Sequence, residues 1–215
     1  MLQRAQAALQ AMQLPFAEQA CRAVLAAQPE RGDAWLLLAR IVMEASRLEE
    51  VDALLTKADR CKAHSIEVQL ARASLLWRMG RDEECFDVSR RVLALRPNDQ
   101  ESICRIASCE RRLGRPRDAL RRLQPHLRSP MAATIAAWAH LDAGDPAAAK
   151  AVALPCADAP GLAAALRSNL WHVIGLAHEQ LGEYGSALAS YTASKQAIPI
   201  TVDEKAMRRN FHELR

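Results

Sequence analysis

The side chains able to do covalent or metal chemistry are six histidines and six cysteines, and their spacing argues against both uses. Residues 178–182 read His-Glu-Gln-Leu-Gly. That is the first half of the His-Glu-x-x-His pattern, without the second histidine that would complete a zinc site on one helical face. Cys104 and Cys109 stand five apart, and Cys21, Cys61, Cys85, Cys104, Cys109 and Cys156 contain no Cys-x-x-Cys pair. They read as small core residues, not as metal ligands or a disulfide framework, which points to a reducing, cytoplasmic compartment. The phosphate-binding GxxxxGK[ST], the dinucleotide-binding GxGxxG and the nucleophile-bearing GxSxG are all missing. We therefore expect no catalytic residue, no cofactor and no metal. What remains is the chemistry of recognition: tryptophans near arginines, the composition of a binding hot spot.

Such residues need a rigid support. The chain has 215 residues, half of them hydrophobic, which is enough to bury a core. Aromatics make up only 4%, while alanine and leucine are abundant and β-branched residues sparse, so the fold class is all-α. The N-terminus lacks the uninterrupted apolar stretch of a secretory signal, and no run approaches the roughly 18 apolar residues that span a bilayer, so no membrane role is expected. A net charge of +4 is too mild to argue for nucleic acid. Residues 104–128 do hold eight arginines against Glu110 and Asp118. Helical geometry divides them: Arg117, Arg121 and Arg122 fall on a second helix and read as an outward, solvated face.

The chain also repeats itself. With Ser168 as position 1, Trp171 is at 4, Gly175 at 8, His178 at 11, Gly182 at 15, Tyr184 at 17, Ala187 at 20, Tyr191 at 24 and Pro199 at 32. Frames that start at Gly32, Ile66 and Gln100, and one that reaches back before Met1, are spaced by 34 residues; frames from Pro130 and Ser168 follow after 30 and 38. Position 8 is then Ala5, Ala39, Ala73, Ala107, Ala137 and Gly175. Gly175 and Ala187 would face each other where two helices pack closely, with Trp171, Tyr184 and Tyr191 filling the space around them. Gly182 suits the left-handed conformation that ends a helix, and Asp145-Pro146 suits a helix start. Pro125 and Pro155 should cut second helices short, and the residues around 161–171 should lengthen the first helix of the last repeat.

This pattern resembles the tetratricopeptide repeat, a helix–turn–helix of 34 residues. The resemblance implies a right-handed α-solenoid of about six repeats, at 1–31, 32–65, 66–99, 100–129, 130–167 and 168–200. A capping helix over 201–215 would follow, with Val202, Ala206 and Phe211 on one face. In that family positions 2, 5, 6, 9 and 12 of the first helix line a concave groove. Here those positions include Arg40, Trp77, Arg105, Arg111, Trp138 and His172, our candidate partner-binding residues, together with Leu36, Leu37 and Met43. His140 and His178, at position 11, would pack. The family's basic clamp for chaperone C-termini would need Leu36, Arg40, Ala71, Glu101 and Arg105 to be mostly basic and polar, and they are not. RNA-binding helical repeats share the period, but no serial base-reading pattern occurs, so nucleic acid is not expected.

The function expected is a non-catalytic scaffold for a protein or peptide segment, acidic and with apolar anchors. Exposed repeat edges also allow a homodimer. The alternative is a non-catalytic N-terminal arm of a larger enzyme, because residues 171–215 are similar to the end of the repeat region in bacterial sulfotransferases, whose catalytic domain would lie beyond residue 215.

Overall fold

A computed structural model describes residues 1–61 and 65–198; the expected cap at 201–215 lies outside the described residues. Twelve α-helices and no strands are present among the described residues. In chain order they are α1 (Leu2–Gln10), α2 (Leu14–Ala27), α3 (Gly32–Glu44), α4 (Leu48–Arg60), α5 (Ser65–Arg78), α6 (Asp82–Leu95), α7 (Gln100–Arg112), α8 (Pro116–Leu123), α9 (Pro130–Asp142), α10 (Pro146–Ala157), α11 (Ala164–Gln180) and α12 (Tyr184–Gln196). Each of the six sequence frames thus carries two helices joined by a short turn. The helices group into two compact units, residues 1–122 and residues 123–215.

One backbone device recurs in every turn. Position 15 has positive φ in all six: Met12 (56°), Ser46 (60°), Gly80 (72°), Gly114 (74°), Gly144 (77°) and Gly182 (76°). The residue after it donates its N–H back to position 11. These bonds are Gln13 to Ala8 at 2.9 Å, Arg47 to Val42 at 3.2 Å, Arg81 to Leu76 at 2.9 Å, Arg115 to Glu110 at 2.8 Å, Asp145 to His140 at 2.9 Å and Glu183 to His178 at 2.9 Å. This is the six-to-one bond of a Schellman motif, which satisfies carbonyls that the ending helix would otherwise strand. The second helix starts within three residues, so the two helices must pack antiparallel.

Small residues make that packing close. The alanines at position 8 are buried, as are Ala17, Val51, Cys85, Ala119, Ala149 and Ala187 at position 20. In the first unit one core cluster runs from Ala5 to Leu75, and a second gathers Ala73, Leu76, Cys85, Val88 and Cys109 under Trp77 and Phe86. In the second unit Ala133, Ala137, Ala149, Ala153, Leu170, Val173 and Ile174 form the core. Successive repeats are also joined by charge. Arg47 pairs with Glu18 at 2.7 Å, and at the same two repeat positions Lys150 pairs with Glu183 at 2.9 Å with the signs exchanged. Arg47 holds the Glu18 carboxyl below its ordinary range by a hydrogen bond, against the opposing effect of burial.

Several local expectations hold, and others need correction. The Asp145 carboxylate accepts from the Ala148 N–H at 3.0 Å and caps α10. Asp99 does the same for α7, accepting from the Ser102 N–H at 2.8 Å. The last first helix, α11, is lengthened to 17 residues. Pro125 ends α8 in a 3₁₀ turn over Gln124–His126, but Pro155 does not shorten α10. It sits in the last turn, where its missing N–H removes a single helical bond. Tyr184 does not fill space beside Gly175; it is 72% exposed.

Glycine is the residue least strained by positive φ, so Ser46→Gly is expected to stabilise the chain by about 1 kcal/mol. Gly144→Ala has open space for its new Cβ and meets only the conformational penalty, so it should destabilise by about the same amount. Urea midpoints of the two variants check the opposite signs.

Candidate partner-binding faces

In the second unit, α9 and α11 are neighbouring first helices, and Trp138 and His172 meet across them. The Trp138 Nε1–H donates to Asn169 Oδ1 at 3.1 Å, and its ring centroid lies 5.9 Å from that of His172, tilted by 41°. His172 in turn lies 5.6 Å from the ring of Tyr191, tilted by 46°. The three rings form a row in which His172 is exposed and its two neighbours half-buried. Such tilted pairs place positive ring edges toward negative faces. The Tyr191 hydroxyl donates to Glu179 Oε2 at 2.6 Å. Burial, and then this bond and the carboxylate's charge, push the phenol up to about 12.

Gly175 is what lets Tyr191 reach the row. A Cβ at residue 175 would stand 2.5 Å from Tyr191 Cε1 and 2.6 Å from Cδ1. Gly175 therefore makes room for the tyrosine ring. The sequence carries the signal. Position 24 holds Cys21, Leu55, Ser89, Leu123, Ala153 and Tyr191, so the bulkiest residue there occurs in the one repeat with glycine at position 8. The sequence marks Trp138 and His172 as candidates and Tyr191 as packing; the structure brings the three into one row.

In the first unit the arginine candidates differ sharply. Arg40 on α3 is exposed and makes no ion pair among the described residues. Arg105 on α7 is 13% exposed; it pairs with Glu101 and donates to Ser74 Oγ at 3.0 Å. Arg111 is half-buried. Trp77 is half-buried on the cluster that contains Ala73, Leu76 and Cys109, and the Arg112 guanidinium lies 4.5 Å from its ring centroid. Arg112 also pairs with Asp82 at 3.0 Å, so this cation–π contact belongs to a packed junction of α5, α6 and α7. Leu36, Leu37 and Met43 are buried, since their apolar side chains are covered by the first unit's core and do not line an open face.

Arg122 is a further correction. Its Nη2–H and Nε–H donate to Glu110 Oε1 and Oε2 at 2.5 and 3.0 Å. The Glu110 side chain is only 5% exposed and that of Arg122 32%, so this forked pair is internal and not part of a solvated arginine face. Arg121, 77% exposed, does face outward. The histidines at position 11 are both committed to the fold. His178 Nδ1 is bonded to Glu183 Oε2, and burial lowers the pKa of His140. Among the described residues no helix is long and apolar enough to cross a membrane, and no group of three or more metal-ligating side chains occurs.

Residues 168–200 match the tetratricopeptide repeat family. No curated protein matches the chain. Among solved structures, the type IV pilus biogenesis factor PilW is similar at 19% identity, with a TM-score of 0.76 over 94% of each chain. PilF of Pseudomonas aeruginosa is similar at 16% identity, with a TM-score of 0.71 over 97% of this chain and 95% of that one. The Cut9–Hcn1 hetero-tetramer of the APC/C follows at 13% identity and 0.73, over 82% of this chain and 35% of that one. At such identities the likeness is one of fold: serial helix hairpins of the tetratricopeptide type. The sulfotransferase resemblance of residues 171–215 finds no support in these comparisons, and residues 199–215 lie outside the described residues.

Gly175→Ala should destabilise the chain by about 1 kcal/mol, because the clash with Tyr191 outweighs the gain in helix propensity. In a Tyr191→Ala background the same change should become stabilising by about 1 kcal/mol. Thermal denaturation of the four proteins in this cycle tests the reversal of sign. Arg122→Met, which leaves the Glu110 carboxylate buried without its partner, is expected to lower stability by about 2 kcal/mol in urea denaturation.

Proposed function

We propose that this chain is a non-catalytic scaffold that holds a segment of a partner protein against its first helices. The observation that carries the reading is the row Trp138–His172–Tyr191. An exposed imidazole between two partly covered rings offers apolar area with little side-chain entropy left to lose, flanked by the polar groups of Asn169 and Glu179. An apolar or aromatic anchor of the partner fits against it. Acidic side chains of a partner are met in the first unit by Arg40 and Arg111. Arg105 contributes less, because Glu101 already neutralises it. Trp77 contributes by stiffening the junction under Arg112.

Two further points support a scaffold. Several ionisable side chains are engaged structurally, as His178 is with Glu183 and Arg122 with Glu110. One fold relative comes from the Cut9–Hcn1 hetero-tetramer, an assembly of protein partners.

His172 and Arg40 are exposed, so replacing them with alanine should leave helical circular dichroism unchanged. Proteins retained by the wild-type chain from its native cell extract, measured by quantitative mass spectrometry, should fall at least tenfold with His172→Ala. Retention of the same proteins in the same amounts by His172→Ala and by Arg40→Ala would refute both faces.

A further inference from the structure

The second unit is poor in positive charge where the first is rich in it. Residues 1–122 hold 21 lysines and arginines against 17 acidic residues, whereas residues 123–198 hold four against five. On α9 and α11 the single arginine or lysine is Arg167. Its Nη2–H donates to the Ala159 carbonyl at 3.1 Å, which commits it to the connection before α11. Lys150 of α10 is paired with Glu183 at 2.9 Å, and Lys195 sits in the last turn of α12. Along α11, Asn169, His172, Leu176 and Glu179 recur at helical spacing on one face. Glu179 is exposed, and the hydrogen bond it accepts comes from a phenol, not from a base. Tyr191 thereby ties the aromatic row to a carboxylate: its ring centroid stands 5.6 Å from that of His172, and its hydroxyl reaches Glu179.

We propose that the row Trp138–His172–Tyr191 and Glu179 together receive an arginine side chain of the partner segment. This rests on the reading of the row as a partner-binding face and names the anchor it takes. An arginine supplies both halves of the chemistry. Its methylene stem covers apolar ring area, and its planar guanidinium lies over a ring face, whose negative quadrupole attracts a cation. The Glu179 carboxylate at the end of the row accepts N–H bonds from the guanidinium fork. A lysine ammonium carries the charge but lacks the flat face that stacks. An acidic side chain would be repelled by Glu179, and the one arginine on α9 and α11 is bonded elsewhere. The rings are set before the partner arrives. Asn169 holds the indole of Trp138 at 3.1 Å, and Glu179 holds the phenol of Tyr191 at 2.6 Å. Little ordering is then left for binding to impose. The preference is opposite in sign to that of exposed Arg40 in the first unit, so the two units select partner side chains of opposite charge.

The test is selection of a random dodecapeptide library on the full chain, keeping peptides that bind the wild type and not His172→Ala. The enriched peptide is then measured by fluorescence polarisation. An arginine at one fixed position is expected. Citrulline in its place keeps the shape and removes the charge, and should weaken binding about tenfold. Glu179→Gln should weaken the arginine peptide about fivefold and leave the citrulline peptide unchanged. His172 and Glu179 are exposed, so both variants should fold, which circular dichroism checks. A fixed position occupied by phenylalanine, tryptophan, leucine or an acidic residue would overturn the arginine anchor and leave the row standing as a partner-binding face. An arginine peptide that loses no affinity with citrulline, or none in Glu179→Gln, would overturn it as well. Recovery of no peptide that distinguishes the wild type from His172→Ala would overturn both readings.

Discussion

Everything in this fold depends on one backbone conformation, the left-handed residue at position 15 of each repeat. It reverses the chain at the end of a first helix while handing the position 11 carbonyl a hydrogen bond from position 16, so the turn leaves few polar groups stranded. The reversal is so tight that the two helices cannot splay. They approach until side chains stop them, which is why positions 8 and 20 are small and buried in repeat after repeat. Four turns meet the requirement with glycine. Met12 and Ser46 meet it under strain, held by the packing on either side.

Given that closeness, variation between repeats must be compensated locally. The last repeat removes even the Cβ at position 8 and inserts a tyrosine ring from position 24 into the space. The ring then joins Trp138 and His172 on the first-helix side. Charge behaves in the same way. The Glu18–Arg47 and Lys150–Glu183 pairs occupy equivalent positions with opposite signs, so each junction is complementary to its own neighbour and mismatched to a junction of the other sign. The first unit's basic character is largely consumed internally: Arg72 by Asp52, Arg78 by Glu44, Arg105 by Glu101, Arg112 by Asp82 and Arg122 by Glu110. Net charge is therefore a poor guide to which arginines meet a partner, and Arg40 stands out because no carboxylate among the described residues pairs with it.

Composition and periodicity together determined the all-helical class, the helix pairs, the turn at Gly182, the cap at Asp145 and the lengthened α11. Each of these follows from local backbone rules or from a repeat of one side-chain face, which a linear sequence displays directly. What only the tertiary structure decided were the pairings between side chains far apart in the chain: Gly175 with Tyr191, Arg122 with Glu110, Trp77 with Arg112. Repeat position says which helix face a residue occupies. Whether that residue ends in an open face or under a neighbour depends on the length and charge of what the next helix presents, and that is set by packing in three dimensions.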